Sequence, residues 1–363
     1  MNQCKVGGEN KFEELKEEIC MRNLVSIQEV KGILPIPDAD AIEVIEVLGW
    51  KLVVKKDEFK VGDKVVYFEV DSFLPIEDKY EFLRKSSFKN HPTIGEGFRI
   101  KTIKLRGQIS QGLALAPFDL GLEDLPVGTD VTDRLGVRKW EPIETLSDWG
   151  TMREGLPDGV SKTDETRIQS IYDEIMPQFE GRRYYISTKI DGTSITMLRQ
   201  NGEFKVCSHC NEILDNAPSS IWDYARKHNV DQKMIDADIN NYAFQGEMAG
   251  PGIQKNRLNL TAPKWFIFTI KNLATGQRLG LEEMKTLCDK VGLEMVPIEE
   301  EGDNLIEKYP TLETLLERAK GKYASGQNKE GIVIRPVEPI HSNTVSGPLS
   351  FKVLNNDYLL KEK

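Results

Sequence analysis

The chain has 363 residues, of which 39% are hydrophobic and 29% charged, and a formal charge of −10. That length suits two domains with separate cores, and the composition is that of an ordinary soluble globular protein. No apolar run approaches a membrane span, and the acidity argues against wholesale wrapping by nucleic acid while leaving room for a local basic face. The N-terminus (Met1-Asn2-Gln3-Cys4-Lys5) lacks an apolar signal segment, and the five cysteines are scattered. Both point to a reducing, intracellular compartment, cytoplasmic or nuclear.

Phe12, Leu15 and Ile19 recur at helical spacing, so a short amphipathic helix is expected within residues 1–20. From Leu24 the period changes to two. Strands are expected at Leu24–Val30, Ile42–Val47, Lys51–Val54, Val65–Val70 and Phe98–Leu105, with Pro, Gly and Asp between them. Roughly five short strands in about 110 residues suit an OB-type barrel, which often presents a face to nucleic acid. Residues 51–107 hold 13 Lys or Arg against 9 Asp or Glu, so this segment is +4. The run Arg99–Arg106 is its sharpest part, although alternation mixes basic and apolar side chains on each face. A solvated face and a phosphate-contacting face both fit it.

Residues 120–165 are rich in Gly and Pro with little periodicity, as in an interdomain connection. A lead helix is expected from Lys162 into Ile171, capped by Thr163 or Asp164. The expected division is an OB-like domain with its N-terminal helix at 1–140, a linker and lead helix at 141–180, and a second domain at 181–363. In the second domain strands alternate with helices at Ser219–His228, Leu281–Val291 and Thr311–Tyr323. The class is α+β: a barrel followed by mainly antiparallel sheets flanked by helices.

The stretch Tyr184–Ser194 reads as a strand that delivers Lys189, a sharp turn at Asp191-Gly192, and a second strand. Taken alone it is equally a surface hairpin. Four further features favour a site. Glu247 ends a strand, Trp265-Phe266-Ile267-Phe268 is aromatic, Glu330 starts a strand and Lys352 lies within one. A lysine amine can attack the α-phosphorus of ATP and expel pyrophosphate, provided the amine is neutral. A second lysine and a divalent metal both disfavour the protonated amine. Carboxylates such as Asp191, Glu330 and Glu247 suit Mg²⁺ or Mn²⁺. Phe266 and Phe268 share a strand face and are candidates to stack on adenine, and Glu247 suits a ribose hydroxyl.

Lys189-Ile190-Asp191-Gly192 resembles the Lys-x-Asp-Gly motif of the covalent nucleotidyltransferases. Glu247, Trp265–Phe268, Glu330-Gly331-Ile332-Val333 and Lys352 resemble the later motifs of that superfamily, in the same order and spacing. Eleven residues follow Lys352, which leaves no room for the C-terminal OB module of DNA ligases and capping enzymes. The OB-like module stands in front, as in the family 5 RNA ligases, which Leu105–Gly112 and Lys162–Gln169 also resemble.

The resemblance implies an ATP-dependent RNA ligase, acting as a monomer in three steps. Lys189 becomes adenylylated, AMP passes to an RNA 5′-phosphate, and a 3′-OH displaces AMP; nicked duplexes are among the substrates. It implies catalytic roles for Lys189, Glu330 and Lys352, metal contacts from Asp191, Glu330 and Glu247, and nucleotide contacts from Thr188, Asp191, Gly192, Glu247, Phe266, Phe268, Glu330 and Lys352. Arg167 is expected at the nucleotide or the RNA 5′-phosphate. Where many ligases carry an arginine for the ribose, this chain has His209 within Cys207-Ser208-His209-Cys210. A DNA ligase or GTP-using capping enzyme, and a non-catalytic OB-fold RNA-binding protein, are the alternatives. The front module is expected to serve RNA binding and to be dispensable for adenylylation.

Overall fold

The computed structural model describes residues 23–140 and 149–361. The helix expected in residues 1–20 lies outside them. The front domain is built on β1 (Val25–Pro35), β2 (Ile42–Val47), β3 (Trp50–Lys55), β4 (Lys64–Phe68) and β5 (Ser72–Leu74). The short helix α1 (Arg84–Ser87) follows, then β6 (Phe88–His91), β7 (Gly95–Arg99), β8 (Thr102–Leu105), β9 (Gln108–Gln111), β10 (Leu113–Leu115) and β11 (Arg138–Lys139). One sheet runs in the order β10-β4-β1-β2-β3 and a second in the order β11-β5-β7-β6. A bulge between Val30 and Gly32 bends β1, whose first half pairs with β4 and whose second half pairs with β2. One strand thereby curls the sheet into a nearly closed barrel. Its inward residues, among them Val25, Ile27, Val66, Phe68 and Phe98, are fully buried.

The expected strand Phe98–Leu105 is two strands in different sheets. Asp71 N–H donates to the Ile100 carbonyl, and Ile100 N–H donates to Ser72, so the chain is drawn into the barrel wall there. Buried Ile100 ends β7, and β8 leaves to form a separate ribbon with β9. The basic run is split by the same step.

The second domain begins with β12 (Met152–Glu154), which pairs with β16 at a sheet edge. Trp149, Leu156 and Val160 pack into this domain's cores, so the stretch from Trp149 onward, read as a connection, is part of the second domain. The lead helix α2 is Ile168–Ile175, later than expected, with Arg167 at its N-cap and no side-chain cap. Then come β13 (Tyr184–Lys189), β14 (Thr193–Gln200), β15 (Glu203–Cys207), β16 (Asn211–Ile213), α3 (Ser220–Lys227) and α4 (Val230–Asp236). They are followed by β17 (Tyr242–Ala249), β18 (Lys264–Asn272), α5 (Leu281–Val291), β19 (Glu294–Met295), β20 (Ile298–Gly302), α6 (Leu305–Lys308) and α7 (Leu312–Arg318). The last elements are β21 (Gly331–Pro336), β22 (His341–Ser342), β23 (Gly347–Pro348), β24 (Phe351–Leu354) and α8 (Asn356–Leu359).

A seven-stranded sheet has the order β12-β16-β15-β14-β17-β18-β19, antiparallel except for the last pair. A four-stranded antiparallel sheet has the order β20-β13-β21-β24. β13 and β14 therefore belong to different sheets, and the Lys189–Gly192 stretch is a corner between them instead of a hairpin. The larger sheet buries Ile195, Met197, Phe244 and Ile267 against α3 and α5. The smaller buries Tyr184, Ile186, Ile332 and Phe351 with α2 and α7. Alternate residues of the same strands turn into the space between the sheets.

Candidate active site

β13 is an inner strand, paired with β20 as far as Ser187 and with β21 through Lys189, so Lys189 stands at the end of a strand held on both sides. It lies opposite Gly331, where a Cβ would come within 2.2 Å of the Val353 carbonyl. Glycine after Glu330 is thus required by the closeness of β21 and β24. Glu330 meets Lys189 directly, Nζ to Oε1 at 2.9 Å.

Gly192 has a similar reason. A Cβ there would sit 2.3 Å from the Met248 carbonyl and 2.9 Å from Glu247 Cγ. Its small size serves the approach of the corner to β17, where the sequence suggested an approach to nucleotide. β14 and β17 pair with Ser194 opposite Glu247, which brings that carboxylate to the lysine.

Lys189, Glu247, Phe268, His209, Thr188 and Lys352 line one cavity of about 180 Å³, together with Thr163, Asp164, Glu165 and Arg335. A larger groove of about 720 Å³, bordered by Arg153, Lys205, Trp222 and Asp231, holds none of the expected site residues. The chemistry is gathered in the smaller one.

Phe268 and Phe266 part company. The β17–β18 register slips between Gln245 and Gly246, so Phe268 is an extra residue that bulges from the ladder. The Arg335 guanidinium holds the Phe268 carbonyl, and also meets Glu165 Oε1 at 2.7 Å and Ser350 Oγ at 3.1 Å. Phe268 is half-buried at the cavity wall, whereas Phe266 is buried among Ile190, Ala249 and Val296. Phe266 is core, and Phe268 is the aromatic residue that reaches the cavity.

Asp191 is brought close but turned away from the cavity. Its Oδ2 lies 2.8 Å from Arg257 Nε, and its Oδ1 accepts from the Tyr358 hydroxyl at 3.1 Å. Arg257 also stacks on the Tyr358 ring at 4.5 Å. The carboxylate expected to touch metal is therefore committed to the scaffold. Thr188 is divided: it lines the cavity while its hydroxyl donates to Glu299 at 2.7 Å.

Arg167 is 5% exposed and paired with Asp71 of the barrel at 2.8 Å. It borders a small cavity with Arg99 and Lys101, away from the lysine. Its backbone bridges to Lys352, and Lys352 N–H donates to the Thr166 carbonyl at 2.9 Å. It positions the strap 163–167 instead of reaching the cavity. The strap's own side chains do reach it. Thr163, expected as a helix cap, shares a hydrogen bond with Ser194 at 2.8 Å. Asp164 meets His209 Nε2 at 3.2 Å and Lys139 at 3.4 Å.

The electrostatics follow from burial and neighbours. Burial opposes charge on Lys189, but Glu330, Glu247 and Asp191 outweigh it and hold the ammonium above the ordinary lysine range. Burial, with Glu330 and Asp191 nearby, pushes the Glu247 carboxyl up to about 8 against the pull of Lys189 and Lys352. Burial also opposes charge on Asp164, yet His209, Lys139 and Lys352 hold it well below the usual carboxylate range.

Tyr323 was expected only as a helix end. Helix α7 stops at Arg318 before Gly321, and the Tyr323 hydroxyl enters the corner. It donates to the Lys189 carbonyl at 2.7 Å and accepts from the N–H groups of Asp191 and Glu330, both at 3.1 Å. Its contacts are to backbone, which leaves no charge or spacing pattern to read in sequence.

An OB-fold domain family matches residues 24–117, and the RNA ligase family matches residues 182–354. No curated protein matches the chain in sequence. Among solved structures, Naegleria gruberi RNA ligase with pyrophosphate superimposes with a TM-score of 0.84 at 32% identity, covering 94% of this chain and 99% of that one. An apo mutant of the same ligase gives 0.82 at 33% identity over 94% and 98%. A mutant with ATP and Mn gives 0.82 at 32% over 93% and 99%. The barrel in front, the two-sheet domain behind it and the clustered Lys189, Glu330, Glu247 and Lys352 agree with these matches: the chain belongs to the RNA ligase family.

Proposed function

We propose that the chain seals RNA 3′-OH and 5′-phosphate ends, including nicks in duplexes, as a monomer that uses ATP and passes through adenylylated Lys189. The observation that supports this most is Lys189, paired with Glu330 at 2.9 Å, on the wall of a cavity shared with Glu247, His209, Phe268 and Lys352. Neutral Lys189 Nζ attacks the α-phosphorus of ATP, an N–P bond forms, and pyrophosphate leaves. An oxygen of the RNA 5′-phosphate then attacks that phosphorus and releases the lysine, leaving AMP joined to the RNA end. The 3′-OH attacks the 5′-phosphorus, gives up its proton and displaces AMP. Lys352 faces the phosphates as fixed positive charge, the largest lever in phosphoryl transfer. Phe268, Val296 and Val333 form apolar walls for a flat base, and His209, braced by Asp164, faces the ribose.

The site suits a divalent cation. Among the described residues no three His, Cys, Asp or Glu side chains are placed to hold a metal. Glu330 and Glu247 would supply two oxygen ligands, as suits Mg²⁺ or Mn²⁺ that keep waters and bind substrate phosphate. The Glu247 carboxyl, raised to about 8 by burial and then by Glu330 and Asp191, supports a place for added positive charge there. A bound cation supplies that charge, lowers the cost of deprotonating Lys189 and offsets charge on the phosphate.

Incubation with α-labelled ATP or GTP followed by denaturing electrophoresis tests the reading. Label from ATP that is lost in Lys189→Ala is expected. No label, or label from GTP alone, rejects it, and comparison of nicked RNA with nicked DNA decides the substrate.

A further inference from the structure

The ribbon β8–β9 is not absorbed by that reading. It forms its own two-stranded sheet outside both barrel sheets. One strand is anchored: Ser110 is buried and accepts from Val53 N–H at 3.0 Å, and Gln111 donates to Asn356 at 3.3 Å. Among the described residues the other strand is an open edge. Ile103 is 44% exposed and Leu105 40%, with Lys104 and Arg106 exposed beside them. Arg106 and Gly107 both take positive φ, 46° and 83°, which makes a tight tip. Apolar residues on a free strand edge invite unwanted pairing unless something covers them.

The charge says what covers them. From Gly97 to Phe118 the chain has Arg99, Lys101, Lys104 and Arg106 and no acidic residue, within a chain of −10. Among the described residues neither Lys104 nor Arg106 has an ion-pair partner, whereas Arg99 is committed to Asp71. The ribbon from Lys101 to Gln111 has no aromatic residue, so it lacks the stacking surface that proteins use for unpaired bases. Basic side chains alternating with aliphatic ones suit phosphates and ribose faces, which a wide, shallow A-form minor groove displays. The placement is apt. The ribbon's root, at Lys101 and Thr102, shares a small cavity with Arg167 and Leu359, and Gln111 touches the helix that follows Lys352's strand.

We propose that β8–β9 is the arm that grips duplex RNA by entering the groove edge-on, with Lys104 and Arg106 on the phosphates of one wall and Ile103 and Leu105, on the opposite face of β8, against the sugars of the other. The proposal rests on the ligase reading. The test compares wild type, Lys104→Glu/Arg106→Glu, the milder Lys104→Gln/Arg106→Gln, and Ile103→Ser/Leu105→Ser in the full chain. Three quantities are measured: Lys189 labelling by ATP, affinity for a nicked RNA duplex across salt concentrations, and sealing. Both charge variants are expected to keep wild-type labelling. They should lose about tenfold or more in duplex affinity and in sealing, with the salt slope shallower by about two. Ile103→Ser/Leu105→Ser should weaken binding with its salt slope unchanged. Single-stranded RNA of the same length should be affected less. Wild-type affinity and sealing in both charge variants would overturn the proposal, as would equal losses on single strands. A change of oligomeric state with RNA binding intact would also overturn it and make the edge a protein contact. Absence of label in wild type would reject the ligase reading instead, while the affinities still judge the arm.

Discussion

The Glu247 carboxyl is pushed up to about 8 by burial and by its acidic neighbours. Its unfolded value is near 4.5, so between those limits the folded chain holds a proton that the unfolded chain releases. That contribution to stability is complete below about 4.5 and lost as the pH rises through about 8. Glu247→Gln removes the titration. The variant should match wild type near pH 4.5 and melt higher at pH 8, by roughly 2–4 °C if about 1 kcal/mol is recovered. Mn²⁺ at pH 8 should narrow the gap by stabilising wild type more. Equal melting curves at both pH values would mean that Glu247 is solvated and ordinary. That the residue sits in a strand was legible, but its protonation was not, because it depends on burial between the sheets and on Glu330 and Asp191 brought in from other parts of the chain.

At the scale of elements, the strands around Lys189 were legible because buried alternation and β-branched residues mark them locally. Their partners were not. An Asp-Gly pair between strands signals a hairpin, yet here it crosses from one sheet to another, since Gly192 is needed against β17 and Ile190 is buried in the join. The Thr163–Asp164 cap failed for a related reason: Ser194, His209 and Lys139 compete for those side chains, and the helix starts after them. The Arg99–Arg106 strand divided where Ile100 is drawn into the wall. The corner itself hangs on one hydroxyl. Tyr323→Phe removes an acceptor from the buried N–H groups of Asp191 and Glu330 and a donor from the Lys189 carbonyl. Each buried group left unmade costs about 1–3 kcal/mol, and each 1.36 kcal/mol of misplacement in the transition state is tenfold in rate. Tyr323→Phe should fold and bind ATP with near wild-type affinity while Lys189 labelling slows by about ten- to a hundredfold. A normal labelling rate would show that the corner is held by β13 and β21 alone.

At the scale of the molecule, a detachable front module does not fit the contacts between the domains. Asp71 of the barrel joins Arg167 at 2.8 Å and Arg99 at 2.9 Å. Gly49 N–H donates to Gln169, Trp50 to Ser170, and Ser170 to Glu69. Lys139 reaches Asp164 at the cavity itself. The strap 163–167 is thus shaped from the barrel side, and it lines the nucleotide cavity. Removing the barrel should damage adenylylation as well as RNA binding, which reverses the division of labour that the sequence alone suggests. Asp71→Ala isolates the point in the full chain, because Asp71 is not among the cavity's lining residues. Arg167, 6% exposed in its side chain, loses the Asp71 carboxylate, and weakening the pairing of a buried charge is costly to its placement. The expected result is an Asp71→Ala protein that melts cooperatively yet labels Lys189 about tenfold more slowly, with the loss in KM for ATP as the strap loosens. Asp71→Glu should recover part of it. Labelling kinetics equal to wild type would mean that the strap is set by Lys352 and Ser194 without help from the barrel.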